Sequence, residues 1–524
     1  MNFKTGLAYQ LIWTTMIFSL VLTGCAPKPV ATPSALPPTA RPAATRPPTA
    51  APTKSPTLAP TAQPSATPTP LAAVSLDANQ NYFSIGGTPT FLLGRNPTGI
   101  KQADFDTLLD WTQKSGSKLV RVHLTHGWWD TPWITNTGKI NDDWVKNWEG
   151  FFNQAAADGI YVIPVFGIWA DWNSGKPDLG SDGWKYNPLN TAWGGPFNTP
   201  TELFRNGSTL QGIWMDWLKY LVERWQDRPN IAAWEIFSEI NIATGLPGTT
   251  DPLGGVDEKN GESFIKKAMT IIQAADSKHR PITASLAGTY GPIDPWTRFY
   301  HLNGIDFIEI HPYTKNLDTF IISDVRQKLA QYKKPVMVGE SGLDAFLDSS
   351  ANADKMQLAL QHAIWAEIVS GAMNGRFLWF EDGYAVYWDA NDRTKSPAFL
   401  KYFAETEKPA ANFVQGVDFS NFQPLTIQAG SRVKGAAVGS DKLVIGWFRD
   451  GACEPPNWPL LPVISGETVR LTVPRSAPGW KIDFYDTKTG TDITNSARVL
   501  RQGNQVIISL PDFKDDIAFK MYTQ

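Results

Sequence analysis

The chain has 524 residues and a formal net charge of −3, long enough for a large domain with a smaller one attached. A charge this close to neutral gives no electrostatic basis for binding nucleic acid, which draws on a basic face. Two cysteines, Cys25 and Cys453, exclude a disulfide framework.

At the N-terminus Lys4 precedes an apolar run from Leu11 to Leu22, interrupted by Thr14, Thr15 and Ser19. A short apolar run ending in small residues reads as a secretion signal, not a membrane span. Leu22-Thr23-Gly24-Cys25 resembles a bacterial lipobox, which implies that Cys25 is lipidated and becomes the new N-terminus. Ordinary secretion with an incidental Cys25 is the alternative. Residues 26–75 follow as a linker. As far as about Pro70 it is nearly all Pro, Thr, Ala and Ser, cannot bury a core and favours extended polyproline. This arrangement predicts an extracytoplasmic protein tethered to the membrane through lipid at Cys25.

Residues 76–408 read as alternating strands and helices. Tyr82–Asn96 predicts a hairpin turning at Gly86-Gly87, then a buried strand. Strands are predicted at Phe91–Gly94, Leu119–Leu124, Tyr161–Phe166, Ala232–Phe237, Pro281–Ser285, Phe307–Ile310, Val336–Gly339 and Arg376–Phe380. Amphipathic patterns at Asp104–Lys114, Asn141–Asp158, Leu210–Gln226, Ser263–Ala275, Asp324–Tyr332 and Ala353–Val369 supply helices between them. The fold class is therefore α/β, a (β/α)8 TIM barrel with insertions. The longest insertion, residues 170–208 after the third strand, is rich in Trp, Asn, Gly and Pro. Thirteen of the 22 tryptophans lie between Trp128 and Trp234. Such density suits either a carbohydrate cleft, where rings stack on sugar C–H faces, or helix packing.

From residue 414 to 524 the pattern changes to short, often alternating runs. Lys442–Phe448, Thr468–Val473, Lys481–Tyr485, Gln505–Leu510 and Asp516–Met521 predict a small C-terminal β-sandwich. It is either a binding module, through Trp447, Trp458 or Trp480, or a packing partner of the barrel. The short linker favours packing.

Two predicted barrel strands end on an acid. The fourth strand runs into Glu239 and the seventh into Glu340, about a hundred residues later. Two strand-end glutamates on the C-terminal face are what cleavage of a glycosidic bond with retention requires. One carboxyl must hold a proton for the leaving oxygen, and the other must be ionised and supported by a cation and hydrogen-bond donors. Glu235 is a rival acid, about 13 Å deeper along a regular strand, and reads as a structural charge in the barrel interior.

Trp-Glu-Ile-Phe-Ser-Glu (234–239), His-Pro-Tyr (311–313), Gly-Glu-Ser (339–341), Val-Arg-Val (120–122) and Leu-Trp-Phe (378–380) occur in this order on the predicted strands. Together they resemble retaining glycoside hydrolases of clan A, most closely family 5, the cellulase and β-mannanase group. The resemblance covers about Asn81 to Glu407. It implies that Glu239 is the general acid/base and Glu340 the nucleophile. It further implies that Arg121 and Tyr313 support the nucleophile, His311 lines the site beside the acid, and Trp379 is a sugar platform. Arg121 is alternatively a structural partner of Glu235. The family pattern has asparagine before the acid, contacting the sugar 2-hydroxyl; here Ser238 stands there, which puts that contact in doubt. Water or Asn241 could replace it.

Further sugar contacts are expected among residues that follow strand ends: Asn96, Trp128, Trp129, Trp169 and Trp172. The substrate class is a β-mannan or β-glucan, as polysaccharide or oligosaccharide, and a monomer is expected. A non-catalytic surface sugar-binding protein and a transglycosidase with the same residues are the alternatives. No cofactor is expected. His123 and His126 lack the accompanying ligands of a metal site, and Asp251–Glu262 fits no calcium loop, so no metal is expected.

Overall fold

The computed structural model describes residues 71–76, 81–97, 102–126, 131–173, 183–243, 257–288, 295–342, 353–377, 406–453, 462–474, 479–494 and 498–523. The signal and Pro/Thr-rich regions, Cys25 included, lie outside them. So do Trp128, Trp129, Trp379, Trp458 and the far end of the predicted eighth strand.

The first described residues are 71–76. Strand β1 (Val74–Leu76) pairs with β2 (Phe83–Ile85), and β2 with β3 (Thr88–Thr90), all antiparallel. The β2–β3 turn is Gly86-Gly87, whose φ values of +58° and +89° are left-handed and suit glycine. This small sheet packs one face on the barrel floor. Val74 and Phe83 share a core with Leu119, Tyr161, Ala232, Phe307, Met337 and Phe377, and the Tyr161 hydroxyl donates to the carbonyl of Ala72 at 2.8 Å.

Eight parallel strands form the barrel: β4 (Leu92–Arg95), β5 (Leu119–His123), β6 (Tyr161–Val165), β7 (Trp234–Glu235), β8 (Ile282–Thr283), β9 (Ile308–Ile310), β10 (Val336–Val338) and β11 (Asn374–Gly375). Pairing runs β11-β4-β5-β6-β7-β8, and separately β9-β10. A parallel bridge from Ser285 to Glu309 joins β8 to β9. Amides of Met373 and Ser341 donate to the carbonyls of Val336 (2.9 Å) and Phe377 (2.8 Å), joining β10 to β11 and closing the ring. These strands are buried on both faces, as parallel strands under crossover helices must be. Paired segments of β7 and β8 are shorter than the apolar runs suggest, with isolated bridges at Ile231, Ser238 and Ser285 continuing them.

Helices α1 (Phe105–Ser115), α2 (Asp142–Ala157), α3 (Thr209–Trp225), α4 (Glu258–Ala275), α5 (Leu317–Tyr332) and α6 (Ala353–Ser370) surround the strands. Side-chain caps start three of them: Asn141 for α2, Ser208 for α3 and Asp257 for α4. After β8 the described chain forms a 3-10 turn at Pro295–His301.

The tryptophans of this half are mostly core. Of the eleven described between Trp133 and Trp234, nine are buried. Trp144 on α2 meets Trp217 and Trp225 on α3 at ring distances of 5.9 and 6.4 Å, zipping two neighbouring helices together. Trp172 belongs to this core. It is 2% exposed, stacked on Trp184 and edge-on to Trp133, so it offers no face to a sugar and drops out of the candidate contacts.

A further helix, α7 (406–414), leads into two antiparallel sheets. Their strands are β12 (Gln423–Pro424), β13 (Ile427–Ala429), β14 (Val433–Gly439), β15 (Leu443–Asp450), β16 (Thr468–Thr472), β17 (Trp480–Tyr485), β18 (Arg498–Gln502), β19 (Gln505–Ser509) and β20 (Asp516–Thr523). Five strands are ordered β12-β14-β15-β20-β17 and four β13-β16-β19-β18. Both sheets bury side chains in one core, Phe448, Phe484 and Phe519 from the first against Val469, Leu471 and Ile508 from the second. A second core joins the first sheet to the barrel: Trp365 and Ile368 of α6 and Phe413 of α7 pack with Ile445, Trp447 and Ala518. Trp447 and Trp480 are buried and present no binding face.

Candidate active site

At the C-terminal end of the barrel, one guanidinium organises four strands. Arg121 on β5 donates through Nε to Oε2 of Glu235 (2.6 Å) and through Nη2 to Oε1 of the same carboxylate (2.7 Å). Its Nη1 donates to Oε1 of Glu340 (2.9 Å) and to Oδ1 of Asn96 (2.9 Å), and its Nη2 to Oγ of Ser238 (2.9 Å). Nε also lies 3.0 Å from Oε1 of Glu309. Arg121 is thus partner to Glu235 and to Glu340 at once. Burial works against its charge, but Glu235, Glu309 and Glu340 hold it well above its ordinary range.

Glu340 follows β10. Its Oε2 accepts from the Tyr313 hydroxyl at 2.9 Å and lies 3.4 Å from Nδ1 of His311. The Ser238 hydroxyl reaches its Oε1 at 3.4 Å. Burial pushes the Glu340 carboxyl up, and Glu239 adds to this; His311, Arg121 and the Tyr313 hydroxyl pull it back. Tyr313 is itself pushed far up, by burial and then by Glu340 and Glu239, so it stays a hydroxyl donor.

Glu239 ends the β7 segment in the left-handed region (φ 56°, ψ 48°), and the chain turns at once into a 3-10 helix, Ile240–Ile242. A non-glycine residue held there costs on the order of 1–3 kcal/mol. The surroundings fix it: its amide donates to Oγ of Ser285 at 3.1 Å, and its Oε1 lies 2.8 Å from Nδ1 of His311. Its carboxylate keeps some exposure at the head of the barrel.

His311 joins the two acids. Burial opposes its charge, yet Glu340 and its bonds to Glu239 and Glu309 hold the imidazolium up to about 10. His123, pushed well down by burial and by Arg121, is neutral and sits 3.3 Å from Nη1 of Arg121. Glu235, deep below the site, is raised to about 7 by burial, with Arg121 opposing and Glu309 adding.

Among the described residues, Glu239, His311 and Glu340 form a group compact enough to hold a metal, with ligand atoms within 4.8 Å of one another. The same atoms already serve one another and a neighbouring cation: His311 Nδ1 lies 2.8 Å from Glu239, and Glu340 has Arg121 as its counter-charge at 2.9 Å.

Among the other expected contacts, Trp169 is partly buried against the core and Asn96 is buried beneath Arg121. Asn241 is buried, and its Oδ1 accepts from the Ala287 amide at 2.8 Å. Sequence reasoning missed Glu309 and Ser285. Glu309 had a signal: it lies two residues before His311 on a strand, hence on the same face. Ser285 had none beyond its place at a strand end.

No family model matches the chain. Part of it is 26% identical over 178 residues to the probable mannan endo-1,4-beta-mannosidase F of Aspergillus flavus, covering 30% of this chain and 35% of that protein. It is 26% identical over 216 residues to the probable mannan endo-1,4-beta-mannosidase A-2 of Aspergillus terreus, covering 38% and 48%. The matched stretch spans between about a third and a half of these relatives' length. In three dimensions the chain is similar to a glycoside hydrolase family 5 structure from Bacteroides vulgatus, with TM-score 0.58 and 14% identity over 86% of this chain and 94% of that one. A second structure, named as a glycoside hydrolase, gives TM-score 0.56 at 13% identity over 86% and 97%. The shared feature is the fold, a TIM-type (β/α)8 barrel; in this chain antiparallel sheets follow it.

Proposed function

We propose that this chain is a retaining β-glycan hydrolase whose substrate is a β-1,4-mannan. The observation that carries the reading is the facing pair Glu239 and Glu340, with an oxygen of each and a His311 nitrogen all within 4.8 Å. Retention needs two carboxyls about 5–5.5 Å apart, whereas inversion needs room for a water between them. The names of the curated relatives support mannan over other β-glycans.

In the proposed mechanism Glu340 attacks the anomeric carbon as Glu239 protonates the departing oxygen, which leaves a glycosyl ester on Glu340 and a carboxylate at Glu239. Water then enters, gives its proton to Glu239 and takes the sugar from Glu340. Arg121 and Tyr313 hold the attacking carboxylate in place. His311 stabilises the anion that Glu239 becomes. The reading takes the enzyme as a monomer carried outside the cytoplasm by the signal ending at Cys25, where the lipobox-like residues support a lipid anchor. No described helix is long and apolar enough to cross a membrane.

The test is sugar release from β-mannan, β-glucan and xylan, followed by NMR of the newly formed anomeric centre. Release from mannan with the β-anomer appearing first, abolished in Glu340→Gln, is the expected result. The α-anomer first would mean inversion. Binding without release would turn the reading to a sugar-binding protein.

A further inference from the structure

Glu309 is fully buried on β9 and reaches both halves of the site. Its Oε1 lies 3.0 Å from Nε of Arg121 and 3.4 Å from Nε2 of His311. The opposite ring nitrogen, Nδ1, lies 2.8 Å from Glu239 and 3.4 Å from Glu340. Both nitrogens of His311 therefore face carboxyl groups, and towards ionised carboxylates the arrangement is satisfied only when both carry hydrogen.

The neighbouring strand makes room for this. A Cβ at Gly339 would come within 1.9 Å of Glu309 Oε1 and 2.6 Å of its carboxyl carbon. The residue just before Glu340 thus carries no side chain, and the Glu309 carboxylate occupies the space.

We propose that Glu309 is a positioning residue, which by accepting from Nε2 fixes His311 as a double donor whose Nδ1–H serves Glu239 and Glu340. The inference rests on the hydrolase reading above. In glycosyl transfer to Glu340, Glu239 gives its proton to the leaving oxygen and becomes an anion 2.8 Å from this cation, which lowers the cost of the step. A neutral ring supplies less of that stabilisation. The other charged or titratable groups whose charge interacts with that of His311 are His123 from β5 and Glu235 from β7; among the described residues the contact to Nε2 comes from Glu309.

Glu309→Gln keeps the shape and removes the charge. The ring of His311, followed by 15N NMR of labelled histidine in the whole protein, is expected to stay protonated beyond about pH 9 in the wild type and to lose its proton between about pH 7 and 9 in the variant. The ratio of variant to wild-type kcat/KM is expected to fall as the pH rises, from within about threefold at about pH 5 to a loss of about tenfold or more at about pH 8. Gly339→Ala, whose Cβ pushes the carboxylate aside while leaving Glu309 in the sequence, should give the same trend and serves if the first variant does not fold. A loss that is uniform with pH, or a His311 titration unmoved in the variant, overturns the proposal. A wild type inactive on all glycans defeats the hydrolase reading instead, and the ring titration still decides what Glu309 does.

Discussion

Nη1 of Arg121 lies 2.9 Å from Glu340 while Nε and Nη2 of the same side chain clasp both oxygens of Glu235, so one cation ties the surface of the site to the barrel interior. Lysine cannot reproduce that span, because it offers one charged nitrogen in place of a rigid fork. Arg121→Lys is expected to lower kcat/KM by about 10²–10³-fold. Leaving Glu235 poorly paired should cost stability of about 3–5 kcal/mol. Steady-state kinetics beside denaturant unfolding separates the two effects. Activity within about twofold of wild type would show that Arg121 serves only Glu235.

The Tyr313 hydroxyl donates to Oε2 of Glu340, and that bond favours the ionised carboxylate. Tyr313→Phe removes one donor and little volume. The acid limb of the kcat/KM profile is expected to move to higher pH, with a loss of about ten- to a hundredfold below it. If the limb stays in place and only the plateau drops, Tyr313 contacts substrate and does not tune the nucleophile.

Three buried groups tilt stability in one direction. Glu235 is raised to about 7 and Glu367 to about 8, both chiefly by burial, and His311 is raised to about 10 by its carboxylate neighbours against the effect of burial. Each holds its proton in the fold at a pH where the unfolded chain has released it. Their stabilisation is complete below the unfolded values and declines as the pH rises through the folded ones. At the acid end Asp318 behaves oppositely: burial raises it, but Arg449 prevails and holds it low, so its contribution is lost on acidification. The melting midpoint is expected to peak near about pH 5 and to be several degrees lower at about pH 8. Scanning calorimetry across this range checks it. Glu367→Gln, which removes the titration of a buried carboxyl on α6, should flatten the slope between about pH 5 and 8.

The barrel was legible because parallel strands read as apolar runs. Leu119–Leu124 and Tyr161–Phe166 contain β5 and β6. Strand β14 (Val433–Gly439) was not, since its glycines and alanines give no alternation. The tryptophans illustrate a limit of composition: a ring on a helix face looks the same in sequence whether it meets sugar or another helix, and here Trp144, Trp217 and Trp225 meet one another. In the site, the strand-end positions of Glu239 and Glu340 were readable from pattern. How Arg121 divides itself among Glu235, Glu309 and Glu340 was not, because barrel closure sets those distances. The left-handed backbone at Glu239 was equally hidden, since nothing in Phe-Ser-Glu-Ile calls for it.

The last prediction concerns the C-terminal sheets. Trp447 on β15 is fully buried, donates through Nε1 to Asp516 at 2.8 Å, and lies in the core shared with α6 and α7 of the barrel. Arg449, two residues on, donates to Asp318 in the first turn of α5, and Arg326 of α5 donates to the carbonyls of Leu425 (3.1 Å) and Ala437 (2.9 Å). An independently folding module would not leave barrel helices without their apolar cover when removed; this one would. Trp447→Ala is expected to destabilise by about 3–5 kcal/mol. The whole described unit should still unfold in one transition, with enzymatic activity lost along the same curve. If calorimetry instead resolves two transitions, and only the one without activity moves, the sheets are a separate domain and the shared core contributes little.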